Sequence, residues 1–166
     1  RRFLRAFDAQ LQNSRFFFGN RPASSDFGMM GQLTCLALFD PTPSALTAEL
    51  APRVYGWTEL VEDLSGKEPT EDDWTDVGSL PDSLRGLFAE VGHFHAPFLL
   101  ANAEAVEKKA EQVETEIDGR PWVQKPFPYQ RKCLGWLRAS YASLDSDARA
   151  SVDNILEGSG CEILFA

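Results

Sequence analysis

Few residues in this chain have the types and spacing that chemistry uses. His93 and His95 are the chain's only histidines, with Glu90 just upstream. Two imidazoles and a carboxylate could begin a zinc site, which needs at least three protein ligands. In a strand, residues two apart share a side, but here the context is a helix end, and no Cys lies near in sequence. The pair reads as packing at a helix junction, and no metal is expected. Tyr129, Arg131 and Lys132 fall at the start of a helix announced by Pro126 and Pro128. They can line a polar pocket there, or divide into a buried aromatic and a solvated basic patch. Asn102 lies among Ala and Leu. It either contacts a ligand or is hydrogen-bonded inside the fold, since an unpaired buried amide costs ~1–3 kcal/mol.

Nucleophilic chemistry finds less support. Ser24-Ser25-Asp26 has no His nearby, and there is no G-x-S-x-G elbow, P-loop or GxGxxG loop. Cys35, Cys133 and Cys161 are widely spaced, without a CxxC pair. They read as buried or free thiols in a reducing compartment, and Cys35 lies in an apolar segment that disfavours its thiolate. No catalytic residue is assigned.

Helix signals dominate the elements that hold these groups. A stripe of Phe3, Leu4, Phe7 and Leu11 predicts a helix from about Arg2 to Gln12. A core helix from about Ser24 to Phe39 is expected to be the most buried element, with Leu33 or Leu36 facing the core fully. The stretch from Gly28 to Phe39 carries only Gln32 and Thr34 as polar members, too apolar for a surface helix and too short for a bilayer. Asp26, in its first turn, is expected to act as a structural helix cap. Ser44 is a plausible cap for a short helix through Leu50. Pro52 opens a helix that turns Val54, Trp57, Leu60, Val61 and Leu64 inward and stops at Ser65-Gly66. Residues 67–82 are an acidic connector in which Trp74 can pin the loop by packing. Leu84, Leu87, Phe88 and Val91 form another helical stripe, and a helix from about Pro97 to Glu111 follows. Around Asp118-Gly119 either a hairpin spanning 113–123 or a helix ending at Gly119 is expected. A helix carrying Cys133, Leu134, Leu137 and Tyr141 comes next, then a last one capped by Asp145 or Ser146. The expected fold is all-α, with 1–66 a helical core and 83–166 a helical extension packed on the same domain.

Composition bounds the partners. With 166 residues, 43% of them hydrophobic, the chain can bury one sizeable core. A net charge of −9 argues against nucleic acid or an anionic membrane. No signal or span is visible, so a soluble, cytoplasmic protein is expected. The chain opens without Met, already on an apolar helical stripe, as a fragment of a longer protein would.

The run Phe16-Phe17-Phe18-Gly19-Asn20-Arg21-Pro22-Ala23-Ser24-Ser25-Asp26-Phe27 and the apolar helix after it resemble the opening of the core helix in the C-terminal domain of glutathione S-transferases. Phe39-Asp40-Pro41, and Pro52 with Trp57 five residues on, are similar to later motifs of that domain, so Trp57 joins Asp26 as an expected structural residue. The likeness covers roughly residues 3 to 66. Residues 84–161 resemble an extension on some members, around Ala101-Asn102-Ala103 and Phe127–Leu134. One departure stands out: three residues before Asp26 the family has Ser or Thr, and this chain has Ala23. Ser24 substitutes with a shifted cap, or the helix start is weaker by ~1 kcal/mol.

The resemblance implies a domain that supplies one wall of an acceptor-substrate pocket and part of a homodimer interface. It also implies an N-terminal thioredoxin-like domain in the parent protein, absent here, holding the groups that bind and activate glutathione as co-substrate for a small apolar electrophile. The alternative is a non-enzymatic module of the same fold, used for protein association or apolar-ligand binding. A thioredoxin-like segment before Arg1, with Ser, Tyr or Cys in its first strand-to-helix turn, would distinguish the two.

Overall fold

A computed structural model describes residues 1–166. The chain is mostly helical, with one two-stranded antiparallel hairpin. It forms two compact units, Arg1–Leu87 and Phe88–Ala166.

The first unit contains α1 (Arg2–Asn13), α2 (Ser24–Leu33), α3 (Pro41–Leu50) and α4 (Pro52–Glu62). An aromatic cluster joins them. Phe7 on α1 stacks on Phe17 at 4.5 Å between ring centroids and meets Trp57 on α4 edge-on at 4.9 Å. All three rings are buried, and burying large rings is the strongest apolar driving force available to a unit this small. Trp57 satisfies its own polar handle by donating from Nε1 to the Arg15 carbonyl at 3.1 Å. Gln10, fully buried, donates to the carbonyl of Phe17 and to Ser14, and accepts from Ser83 at the start of α5 (Asp82–Glu90).

Three expectations are corrected here. The helix from Ser24 does not run unchanged to Phe39: α2 ends at Leu33 and a wide, π-type turn covers Thr34–Phe39, with Asp40 N–H bonded back to the Cys35 carbonyl. Inserting a residue per turn rotates the side chains that follow. Leu33 and Ala37 point inward, while Leu36 and Phe39 are 51% and 87% exposed. The segment is therefore not the most buried element, and Cys35 is exposed rather than enclosed. Second, α3 is capped by Asp40, whose carboxylate accepts from Thr42 N–H, with Pro41 in the first turn. Ser44 lies inside that helix. Third, Leu60 on α4 faces outward, while Val54, Trp57 and Val61 are buried.

The second unit is built on α6 (Ala96–Glu107), which follows a second π-type turn at Val91–His95 and ends short of Glu111. Lys109, in the left-handed region with φ 51°, stops it. Ala96, Leu99 and Ala103 of α6 pack with Leu134 and Leu164, and Phe98 and Ala105 with Val113. Of the two readings for 113–123 the hairpin is the one formed: β1 (Val113–Ile117) pairs with β2 (Arg120–Gln124), Ile117 opposite Arg120. Asp118 and Gly119 both have positive φ, 53° and 71°, as the tightest hairpin turn requires. Then come α7 (Pro128–Ala142) and α8 (Ser146–Leu156), the latter capped by Asp145, which accepts from the N–H groups of Asp147 and Ala148.

Candidate functional site

In the first unit the residues of greatest interest surround the start of α2. Asp26 is fully buried, and its carboxylate accepts from Phe17 N–H at 3.0 Å and Ala23 N–H at 2.9 Å. One side chain thus ties the aromatic strip to the helix. Ala23 occupies the cap position and has no side-chain acceptor, so the reciprocal half of the usual capping pair is missing. Burial pushes the Asp26 carboxyl above its ordinary value, while the backbone N–H bonds pull it down.

Gly19, at the Gly-Asn turn that follows the aromatic strip, sets this turn. At φ 129° its backbone presses on 73–75 so closely that a Cβ would lie 2.2 Å from the Asp73 carbonyl oxygen. Asn20 N–H donates to Asp73 O, and Thr75 N–H to Phe18 O, both at 2.7 Å. The Arg21 guanidinium lies 4.5 Å from the Trp74 ring and pairs with Glu71 at 2.8 Å. The acidic connector is thereby held to the turn. A Gly between aromatics and Asn-Arg-Pro was the available signal.

Part of the outward surface of this unit is apolar. Phe27, Leu36 and Phe39 are exposed along α2 and its π-type extension, and Gly28 and Gly31 open onto free space. A small hollow of ≈ 230 Å³ lies between α1 and α4, lined by Leu11, Arg15, Arg53, Gly56, Trp57 and Leu60. Arg53 is oriented by Asp8, which accepts from its backbone N–H and its guanidinium at 3.0 Å each. The surface can contact apolar molecules; it holds no nucleophile–base pair.

In the second unit Asn102 is fully buried and bonds both backbone groups of Phe127. Of its two readings the internal one matches this geometry. Tyr129 and Lys132 are exposed on α7, and Arg131 pairs with Glu107 at 2.8 Å. These three do not line the hollow beside the end of α6. That one, ≈ 510 Å³, is walled by Glu104, Glu111, Glu114, Lys108 and small residues, with Lys108 already paired to Glu104. His93 meets Asp118 across 3.1 Å at the surface, and His95 packs near Phe98. No group of three His, Cys, Asp or Glu side chains is arranged to hold a metal. Cys161 is buried, its Sγ 3.3 Å from the Phe88 carbonyl, and burial pushes its thiol up.

No helix is long and apolar enough to cross a membrane. No family model, curated protein or solved structure matches the chain.

Proposed function

We propose that this chain is the C-terminal helical part of a glutathione S-transferase-like protein, giving an apolar wall against which an electrophilic substrate rests. In the intact protein a thioredoxin-like domain supplies glutathione as co-substrate, and this part contributes to a homodimer interface. What supports the reading is the resemblance of residues 3–66 and one observation: the buried Asp26 that joins the aromatic strip to the first turn of α2. The resemblance leads one to expect Asp26 at the cap of this helix, where it accepts from Ala23 N–H. The chain carries no group of its own suited to activating a thiol, so its role is to position and enclose.

A second reading has its own observation. The exposed apolar side chains of Phe27, Leu36 and Phe39 suit a module that binds proteins or apolar ligands without catalysis. Joining the chain to the segment encoded before Arg1 and assaying conjugation of a chloronitrobenzene with glutathione separates the two. Turnover that falls when Leu36 or Phe39 becomes Ser supports the first. Absence of turnover with retained binding of an apolar dye, lost in the same variants, supports the second.

A further inference from the structure

The chain's acidic balance conceals a reversal. Residues 119–144 hold Arg120, Lys125, Arg131, Lys132 and Arg138 and not one Asp or Glu, in a chain of net charge −9. The same stretch presents aromatic rings to solvent: Phe127, Tyr129 and Trp136 are 51%, 55% and 58% exposed. Tyr129 and Trp136 stand edge to face at 5.9 Å with 85° between their planes, and Phe127 lies 6.3 Å from Tyr129. Tyr129, Lys132 and Trp136 fall at i, i+3 and i+7, one face of α7, and Gly135 leaves open space beside Trp136.

We propose that this face of α7, with the Lys125–Phe127 segment leading into it, is a docking surface for an acidic peptide segment carrying apolar side chains. Charge complementarity chooses the occupant. Arg131 and Arg138 are engaged by Glu107 and by the Leu164 and Ala166 carbonyls; Lys125 and Lys132 stand exposed with the rings. A carboxylate-bearing peptide meets these ammonium groups while its apolar side chains enter the angle between Tyr129 and Trp136. Aromatic anchors ringed by charge are the usual composition of such contacts. A nucleic acid, with a phosphate every ~1.7 Å of duplex, would place far more negative charge against a chain of net charge −9. Asn102 holds the backbone at Phe127, so part of the surface is ordered before a partner arrives, which lowers the entropic cost of binding. The inference stands independently of the transferase-like reading, whose support lies in residues 3–66.

The test is a fluorescence-anisotropy titration of the whole chain with a labelled peptide of Glu, Asp, Leu and Trp. The same peptide with Lys for every acid, an oligothymidylate and phosphatidylserine vesicles serve as competing probes. Saturable binding of the acidic peptide is expected, weakened when salt rises from about 0.05 to about 0.5 M. Lys132→Glu should weaken it at least about tenfold, and Trp136→Ser as much, with far-UV circular dichroism unchanged. No binding, equal binding of the lysine peptide, tighter binding of the oligonucleotide or vesicles, or unaltered affinity in both variants would overturn the proposal.

Discussion

Asn102 closes on Phe127 from both sides: its Nδ2 donates to the Phe127 carbonyl at 3.0 Å and its Oδ1 accepts from the Phe127 N–H at 2.8 Å. An amide carries a donor and an acceptor side by side, matching both needs of a peptide unit at once. Asn102→Ala leaves both groups of Phe127 without this partner and should destabilise the second unit by about 1–3 kcal/mol. Asn102→Asp, which keeps an acceptor but loses the donor, should fail to restore it. Urea unfolding followed by far-UV circular dichroism reads both. An unchanged midpoint in the Ala variant would remove the clasp from any structural role.

Asp26 provides a pH test. Its folded carboxyl titrates above the ordinary value of 3.8, so between the two values the folded state holds more protons than the unfolded one. By linkage, this group's contribution to stability falls as pH rises through that window. Melting temperatures from acid to neutral should therefore show wild type losing ground to Asp26→Asn as pH rises above about 3.8, the ordinary value. A gap that moves the other way would show that the two N–H bonds outweigh burial. Asp26→Ala should cost ~0.5–2 kcal/mol at neutral pH, the usual loss for a helix-terminal acceptor.

Leu33 and Leu36 separate the inward from the outward side of the segment after Ser24. Leu33→Ala should cost about 2–5 kcal/mol, as for other buried leucines. Leu36→Ala should stay within about 0.5 kcal/mol, as for an exposed position. Denaturant midpoints decide; equal losses would return Leu36 to the core.

The three thiols should differ in reactivity toward a disulfide reagent near neutral pH. Cys35, exposed, should react first. Cys161 should react only on unfolding, because burial raises its pKa and enclosure blocks approach. Rapid loss of all three thiols without denaturant would contradict this.

Calorimetry of the isolated chain with glutathione should show no saturable binding. Thiol activation needs a donor or positive environment and groups that orient the tripeptide, and the resemblance puts those in another domain. Measurable binding would make Tyr129, Arg131 and Lys132 the first residues to mutate.

The helices were legible because their apolar stripes recur at helical spacing, as in Phe3, Phe7 and Leu11 or Val54, Trp57 and Val61. The Asp118-Gly119 turn was legible as one of two options, since only tertiary packing of Val113 against Phe98 and Ala105 decides for the strand. The π-type turns were not, because hydropathy says nothing about whether a carbonyl bonds four or five residues ahead. That single shift turned Leu36 and Phe39 from core to surface. Of the candidate site residues, Asn102 could be weighed from cost alone; its partner Phe127, 25 residues away, could not. The solvent-facing Tyr129–Trp136 pair was hidden because aromatic residues default to the interior in any hydropathy reading.

Gly92 and Gly160 meet backbone to backbone, so closely that a Cβ on Gly92 would lie 2.1 Å from the Ser159 carbonyl oxygen. With Cys161 against Phe88, the contact brings the start of the second unit against its closing turn, five residues short of Ala166. Such a unit can be rewired: a short linker from Ala166 to Phe88 would close it, and new ends could be cut at the exposed Asp118-Gly119 turn. Permutation of that kind succeeds where termini lie close and the opened loop is exposed. The permuted unit should keep its helical content, which would make it a portable scaffold for displaying α7.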